Sequence, residues 1–121
     1  MRVRTEETFD ASHRLEDYDG KCANLHGHRW RVVVWAEGEL LEGDMLVDFS
    51  MIKDMVEDFD HTTLNEVTDF NPTAENLAEY FKNEMLSWFD EFEISATEFK
   101  VRVYESPKSY AEVETDGYGK D

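Results

Sequence analysis

The chain has 121 residues, 29 acidic against 12 basic side chains, a formal net charge of −17, and hydrophobic residues at 40% of positions. One globular domain over residues 1–121 is expected, with an acidic, solvated surface of the kind molar salt would screen, and nucleic acid is excluded as a partner because neutralising phosphates needs a basic face. No apolar run approaches a membrane span and no secretory leader is visible, while a single cysteine rules out an internal disulfide and fits a cytoplasmic setting.

Taken in order, Val3–Phe9 reads as a first strand, and Phe9-Asp10-Ala11-Ser12-His13 extends it. Leu15–Gly20 is polar, with a turn signal at Asp19-Gly20. A second strand runs from His26 to Glu37, followed by a turn-rich return over Gly38–Asp44 and a short extended piece, Met45–Phe49. Ser50 reads as an N-cap. Behind it Ile52, Met55, Val56 and Phe59 keep i, i+3, i+4, i+7 spacing, which predicts an amphipathic helix. Asp60-His61 falls at its C-terminal end, and Asn65–Asn71 reads as a loop. Pro72-Thr73 starts a second helix with Leu77, Tyr80, Phe81, Met85 and Trp88 on one face, ended by the acidic stretch Asp90–Glu93. Phe99–Tyr104 alternates as a strand, Pro107-Lys108-Ser109 turns, and Tyr110–Glu114 returns as its hairpin partner, with a loose tail from Asp116. Two strands, two helices and two strands (ββααββ) predict an α+β domain. Its four-stranded antiparallel sheet would carry both helices on one face. The two open sheet edges would need protection, which a barrel closed with neighbouring subunits would provide.

The chemistry concentrates in Lys21–Arg29, K-C-A-N-L-H-G-H-R. This stretch holds the only cysteine and two of the four histidines, with His13 upstream and Asp60-His61 downstream. On a strand His26 and His28 face one side. Gly27 between them permits close approach of another backbone. His13 is the natural third ligand, and three histidines with one open position is the pattern of catalytic zinc.

Phe9-Asp10-Ala11-Ser12-His13, Cys22-Ala23-Asn24-Leu25-His26-Gly27-His28, Asp48-Phe49, Asp60-His61-x-x-Leu64-Asn65, Pro72-Thr73-Ala74-Glu75-Asn76-Leu77-Ala78 and Val103-Tyr104-Glu105 occur in that order. This set resembles the 6-pyruvoyl-tetrahydropterin synthase family. The cysteine with three residues before His-Gly-His is similar to the 6-carboxy-tetrahydropterin synthase branch, which serves 7-deazaguanine tRNA nucleosides, queuosine or archaeosine. The resemblance implies a tunnelling fold, trimers closing a barrel, and two trimers stacked as a homohexamer with sites between subunits. It implies zinc, a pterin triphosphate substrate (7,8-dihydroneopterin triphosphate), and 6-carboxy-tetrahydropterin, acetaldehyde and triphosphate as products.

By the same resemblance His13, His26 and His28 match the zinc ligands and Cys22 the catalytic cysteine. Asp60 and His61 match the pair that works with it, and Glu105 the glutamate that anchors the pterin. Thr73 and Glu75 fall in a second pterin-contacting segment, where Ala74 replaces a second threonine of some relatives. These assignments make chemical sense. A thiol needs activation by a nearby metal or imidazolium before it serves as a base, and a carboxylate can accept both the 2-amino group and N3–H of a pterin. Arg14 and Lys21 flank the site and are candidates for holding the triphosphate. The alternatives are the 6-pyruvoyl branch and a non-enzymatic metal-binding domain. A cupin-type dioxygenase is set aside, since the carboxylate it needs about four residues after H-x-H is Val32 here.

Overall fold

The computed structural model describes residues 1–40, 45–91 and 96–116. The chain runs β1 (Arg2–His13), a 3-10 turn (Lys21–Ala23), β2 (His26–Gly38), α1 (Ser50–Glu57), β3 (Thr62–Thr63), α2 (Leu64–Val67), α3 (Ala74–Glu91), β4 (Ala96–Ser106) and β5 (Ser109–Asp116). The sheet order is β3-β1-β2-β4-β5. All pairings are antiparallel except that of β1 with β3.

The α+β class and the four long strands agree with expectation. The sheet nevertheless has a fifth strand, because Thr62 and Thr63 lie parallel to Ala11 and Ser12. A third, four-residue helix follows, so the expected loop Asn65–Asn71 is helical as far as Val67. Met45–Phe49 has no sheet partner and bends into α1 rather than extending. Ser50 is the first helical residue, not the cap. Oδ1 of Asp48 accepts its N–H at 3.0 Å and its hydroxyl at 2.8 Å, so the cap function sits two residues earlier. The start of α3 is closer to expectation: Oγ1 of Thr73 accepts the N–H of Asn76 at 3.0 Å. The expected return over Gly38–Asp44, the close of the acidic stretch Asp90–Glu93 and the tail from Asp116 lie partly outside the described residues.

One sheet face is the core. Phe9, Ala11 and His13 of β1, Trp30, Val32, Val34 and Ala36 of β2, and Phe99, Val101 and Val103 of β4 alternate inward and are buried. Ile52, Met55 and Val56 of α1 meet them, as do Leu77, Ala78, Phe81, Met85 and Phe89 of α3. On α3 Phe89 takes the buried position, while Tyr80 and Trp88 pack only partly against the core. Phe9 stacks on Trp30 at 6.0 Å and meets Phe81 edge-on at 6.4 Å. Burying each such side chain stabilises the fold by roughly 1.5–3 kcal/mol, which is what holds α3 against the sheet.

Among the described residues the other sheet face carries no helix. Its charged and aromatic side chains cover one another: Arg31 lies 3.9 Å over the Tyr104 ring, Arg102 4.0 Å over Tyr110, and Lys100 4.4 Å over Trp35. Glu112 accepts from Arg102 at 2.7 Å. On its outer side β1 is paired only at Ala11 and Ser12, and β5 is an outermost strand.

Candidate metal centre

Antiparallel register brings the three histidines together. His13 pairs with His26, and Ala11 with His28, so His13, His26 and His28 all project to the core face at one end of β1 and β2. Their ring centroids are 4.6, 4.8 and 5.2 Å apart. Trp30, two residues beyond His28, closes the inner side, its ring 4.9 Å from His13 and 5.6 Å from His28. Its indole N–H donates to the carbonyl of Ala11 at 3.2 Å, which locks that wall.

Backbone carbonyls set the imidazole tautomers. Nδ1–H of His13 donates to the carbonyl of Pro72 at 2.7 Å, and Nδ1–H of His26 to the carbonyl of Asn24 at 2.7 Å. The rings of His13 and His26 therefore each turn a bare Nε2 toward the cluster, the arrangement metal-ligating histidines adopt. Burial pushes the His13 and His28 imidazoles below their ordinary range, although Pro72 and Glu105 pull His13 upward and Glu105 pulls His28 upward. The neutral ring is the form that binds a cation.

Glu105 is the fourth member. β4 and β5 slip register between Tyr104 and Ser106, so Glu105 sits at a bulge. Bulges re-aim a side chain next to a site. Oε1 of Glu105 lies 3.1 Å from Nε2 of His28 and 3.9 Å from Nε2 of His13. The four ligand atoms lie within 4.8 Å of one another. Among the described residues neither Nε2 of His13 nor Nε2 of His28 has a hydrogen-bond partner, although both are buried. Buried nitrogens are seldom left unpaired, and three imidazoles with a carboxylate in reach form a donor set that fits a divalent cation.

Cys22 stands apart from this donor set. It is half-buried in the 3-10 turn, and its carbonyl accepts the N–H of Leu15 at 2.8 Å. Asp60 and His61 are farther removed. Oδ1 of Asp60 accepts the N–H of Asp10 at 2.9 Å, and Nε2 of His61 lies 3.5 Å from Oδ2 of Asp60. Their ligand atoms gather with the carboxylate of Asp10, which alternation places on the helix-free face, opposite the histidines. His61 adopts a left-handed backbone, φ 60°, and its side chain is 79% exposed. An open depression of about 830 Å³ adjoins it, bounded by Ser12, Gly27, His28, Arg29, Thr62 and Glu66 among others. The close approach expected at Gly27 is absent among the described residues, since a Cβ there would meet nothing of them within 4 Å.

Thr73 spends its hydroxyl capping α3, and Glu75 is exposed in the first turn of that helix. Arg14 and Lys21 are exposed. Arg29, not foreseen, is held on Asp10 by two hydrogen bonds of 3.1 and 3.2 Å. The contributions of Pro72 and Asn24 were also missed. Both act through main-chain carbonyls, which leave no side-chain signal in the sequence.

Comparison with known proteins identifies the family of the chain. Residues 2–116 match the family described as 6-pyruvoyl tetrahydropterin synthase. A Rickettsia conorii protein named 6-carboxy-5,6,7,8-tetrahydropterin synthase is 32% identical over 87% of this chain and 94% of its own length. A Bacillus subtilis protein of the same name is 35% identical over 75% of this chain and 68% of its own. The solved structure of Caenorhabditis elegans 6-pyruvoyl tetrahydropterin synthase superposes with a TM-score of 0.75 at 26% identity, covering 96% of both chains. The ordered motifs, the fold and the histidine cluster thus converge, and the chain belongs to the 6-pyruvoyl tetrahydropterin synthase family of enzymes.

Proposed function

We propose that the protein converts 7,8-dihydroneopterin triphosphate and one water to 6-carboxy-5,6,7,8-tetrahydropterin, acetaldehyde and triphosphate, as a cytoplasmic carbon–carbon lyase supplying 7-deazaguanine tRNA nucleosides, queuosine or archaeosine. The observation that carries this reading is the convergence of the ring nitrogens of His13, His26 and His28, two of them with tautomers held by main-chain carbonyls. The names of the relatives favour the 6-carboxy product over the 6-pyruvoyl one. No described helix is long and apolar enough to cross a membrane.

His13, His26 and His28 would hold zinc, which when bound polarises side-chain oxygens of the substrate and stabilises negative charge developing on them. Cys22 takes a proton from a hydroxyl-bearing carbon of the substrate side chain. Glu105 accepts from the 2-amino group and N3–H of the pterin, which orients the ring. Thr73 and Glu75 add contacts from the start of α3. Arg14 and Lys21 meet the triphosphate.

The proton donor of this scheme is His61, with Asp60 fixing its ring. Within one chain their ligand atoms gather with the carboxylate of Asp10 and not with the three histidines. A second copy must therefore bring its Asp60-His61 to the zinc side. That requirement, together with the two open strand edges, supports a homo-oligomer, a barrel-closing trimer doubled into a hexamer, with shared sites.

Incubation with dihydroneopterin triphosphate, followed by identification of the pterin and of acetaldehyde, tests the proposal. 6-Carboxy-tetrahydropterin and acetaldehyde in equal amounts are expected. A 6-pyruvoyl product without acetaldehyde would assign the chain to the other branch. Absence of turnover in protein holding one zinc per chain would leave a metal-binding domain.

A further inference from the structure

The connection from His13 to His26 begins and ends at the metal cluster and carries Cys22 at its turn. Its first three residues are hydrogen-bonded along both edges. On one edge Oδ1 of Asn65 accepts the N–H of Arg14 at 2.9 Å, while Nδ2 of Asn65 donates to the carbonyl of Arg14 at 2.9 Å. Two residues on, Asn71 repeats the pattern: its Oδ1 accepts the N–H of Glu16 at 2.9 Å and its Nδ2 donates to the carbonyl of Glu16 at 3.3 Å. On the other edge the N–H of Leu15 donates to the carbonyl of Cys22 at 2.8 Å. A side-chain amide carries an acceptor and a donor side by side, as a peptide group does. Asn65 and Asn71 therefore pair with alternate residues of an extended segment as a neighbouring strand would.

The clamp is itself anchored. The carbonyl of Asn71 accepts the N–H of Thr73 at 2.8 Å and Nδ2 of Asn76 at 2.9 Å, which ties it to the start of α3. The next residue, Pro72, supplies the carbonyl that orients His13. One short segment thus reaches the metal ligand through its main chain and the cysteine connection through a side chain.

We propose that Asn65 and Asn71 are positioning residues for Cys22. By holding Arg14 and Glu16 they present the Leu15 N–H to the Cys22 carbonyl, and so fix the thiol relative to the histidines. The inference rests on the reading of Cys22 as the base. Displacements of about 1 Å in a reacting group can cost on the order of a hundredfold in rate, so a clamp two contacts away from the thiol has kinetic leverage.

The test compares wild type with Asn65→Ala, Asn71→Ala and the weaker changes Asn65→Asp and Asn71→Asp. Aspartate keeps the acceptor for the N–H and removes the donor to the carbonyl. Zinc content, kcat and KM for dihydroneopterin triphosphate, and amide exchange over residues 14–24 are measured on the same preparations. Expected are unchanged zinc, KM within about twofold in the Asn71 variants, kcat lowered on the order of 10–100-fold in the alanine variants, and faster exchange at Leu15 and through the Cys22 turn. The aspartate variants should fall between alanine and wild type, and they carry the test if the alanine variants do not fold. Zinc-loaded variants with wild-type kcat would overturn the proposal, as would kcat and zinc lost in parallel. Amide exchange reads the clamp without turnover, so a wild type inactive on the pterin counts against the proposed function alone. Unaltered exchange in Asn71→Ala counts against the clamp.

Discussion

The ring of His13 hangs from the carbonyl of Pro72, 59 positions later in the chain, by a 2.7 Å hydrogen bond from Nδ1. His13 is 0% exposed, so this carbonyl is what lets an imidazole sit inside the core with its Nδ1–H satisfied. It also commits the other nitrogen, Nε2, to the cluster. A ligand on β1 is thereby oriented by the residue that leads into α3, and the helix layer and the metal centre are mechanically one unit.

His13→Ala should remove zinc more severely than the ~10–100-fold loss typical of an outer-shell change. Elemental analysis after dialysis against a chelator measures it. His26→Ala and His28→Ala should behave alike. Full zinc in His13→Ala would mean that the third ligand lies elsewhere.

Cys22→Ala should fold, keep zinc and still bind pterin, because Cys22 is outside the four-residue donor set. Turnover should fall by about 10²–10⁴-fold, the usual worth of a positioned general base. Zinc stoichiometry and product formation on one preparation decide it. Loss of zinc would make Cys22 a ligand instead.

Glu105→Gln turns one acceptor oxygen into a donor opposite the pterin donors. Binding of a pterin analogue should weaken by on the order of 1–3 kcal/mol, the cost of a buried unpaired group. Calorimetry would show it, and equal affinity would remove Glu105 from the pterin site.

Acid should destabilise the metal-free protein through His13 and His28. Burial holds both folded-state values below the ordinary 6.5. The unfolded chain then binds more protons than the folded one as pH falls. Their contribution is complete above about pH 6.5 and is lost as pH drops through the lowered folded-state values. Urea midpoints of chelator-treated protein should decline over that window, and His13→Phe should flatten the decline.

Trp30→Phe removes the indole N–H that donates to the Ala11 carbonyl and thins the wall behind His13 and His28. A loss of about 1–3 kcal/mol in stability is expected, read by urea denaturation, with weaker zinc retention alongside.

Period and spacing were enough to read the long strands, the two principal helices and the candidate residues. The side taken by Glu105, directly after the alternating Phe99–Tyr104, stayed open, since it turns on the bulge between Tyr104 and Ser106, whereas His-Gly-His on a strand already set two imidazoles on one face. These properties are local, decided by side-chain direction within a few residues. Thr62-Thr63 as a strand was not legible, since two residues have no period and their pairing depends on β1 lying alongside. Nor was the short helix at Leu64–Val67, or the shift of the α1 cap to Asp48. The tertiary structure alone separated Asp60-His61 from the histidines. The motifs lie close in the chain order, yet the ligand atoms of Asp60 and His61 gather with the side chain of Asp10, one residue out of phase with Phe9 and Ala11. In a pleated strand one residue out of phase means the opposite face. The same holds for the carbonyls of Pro72 and Asn24 and the amides of Asn65 and Asn71: every residue carries these groups or could, and only the folded chain decides which of them meet.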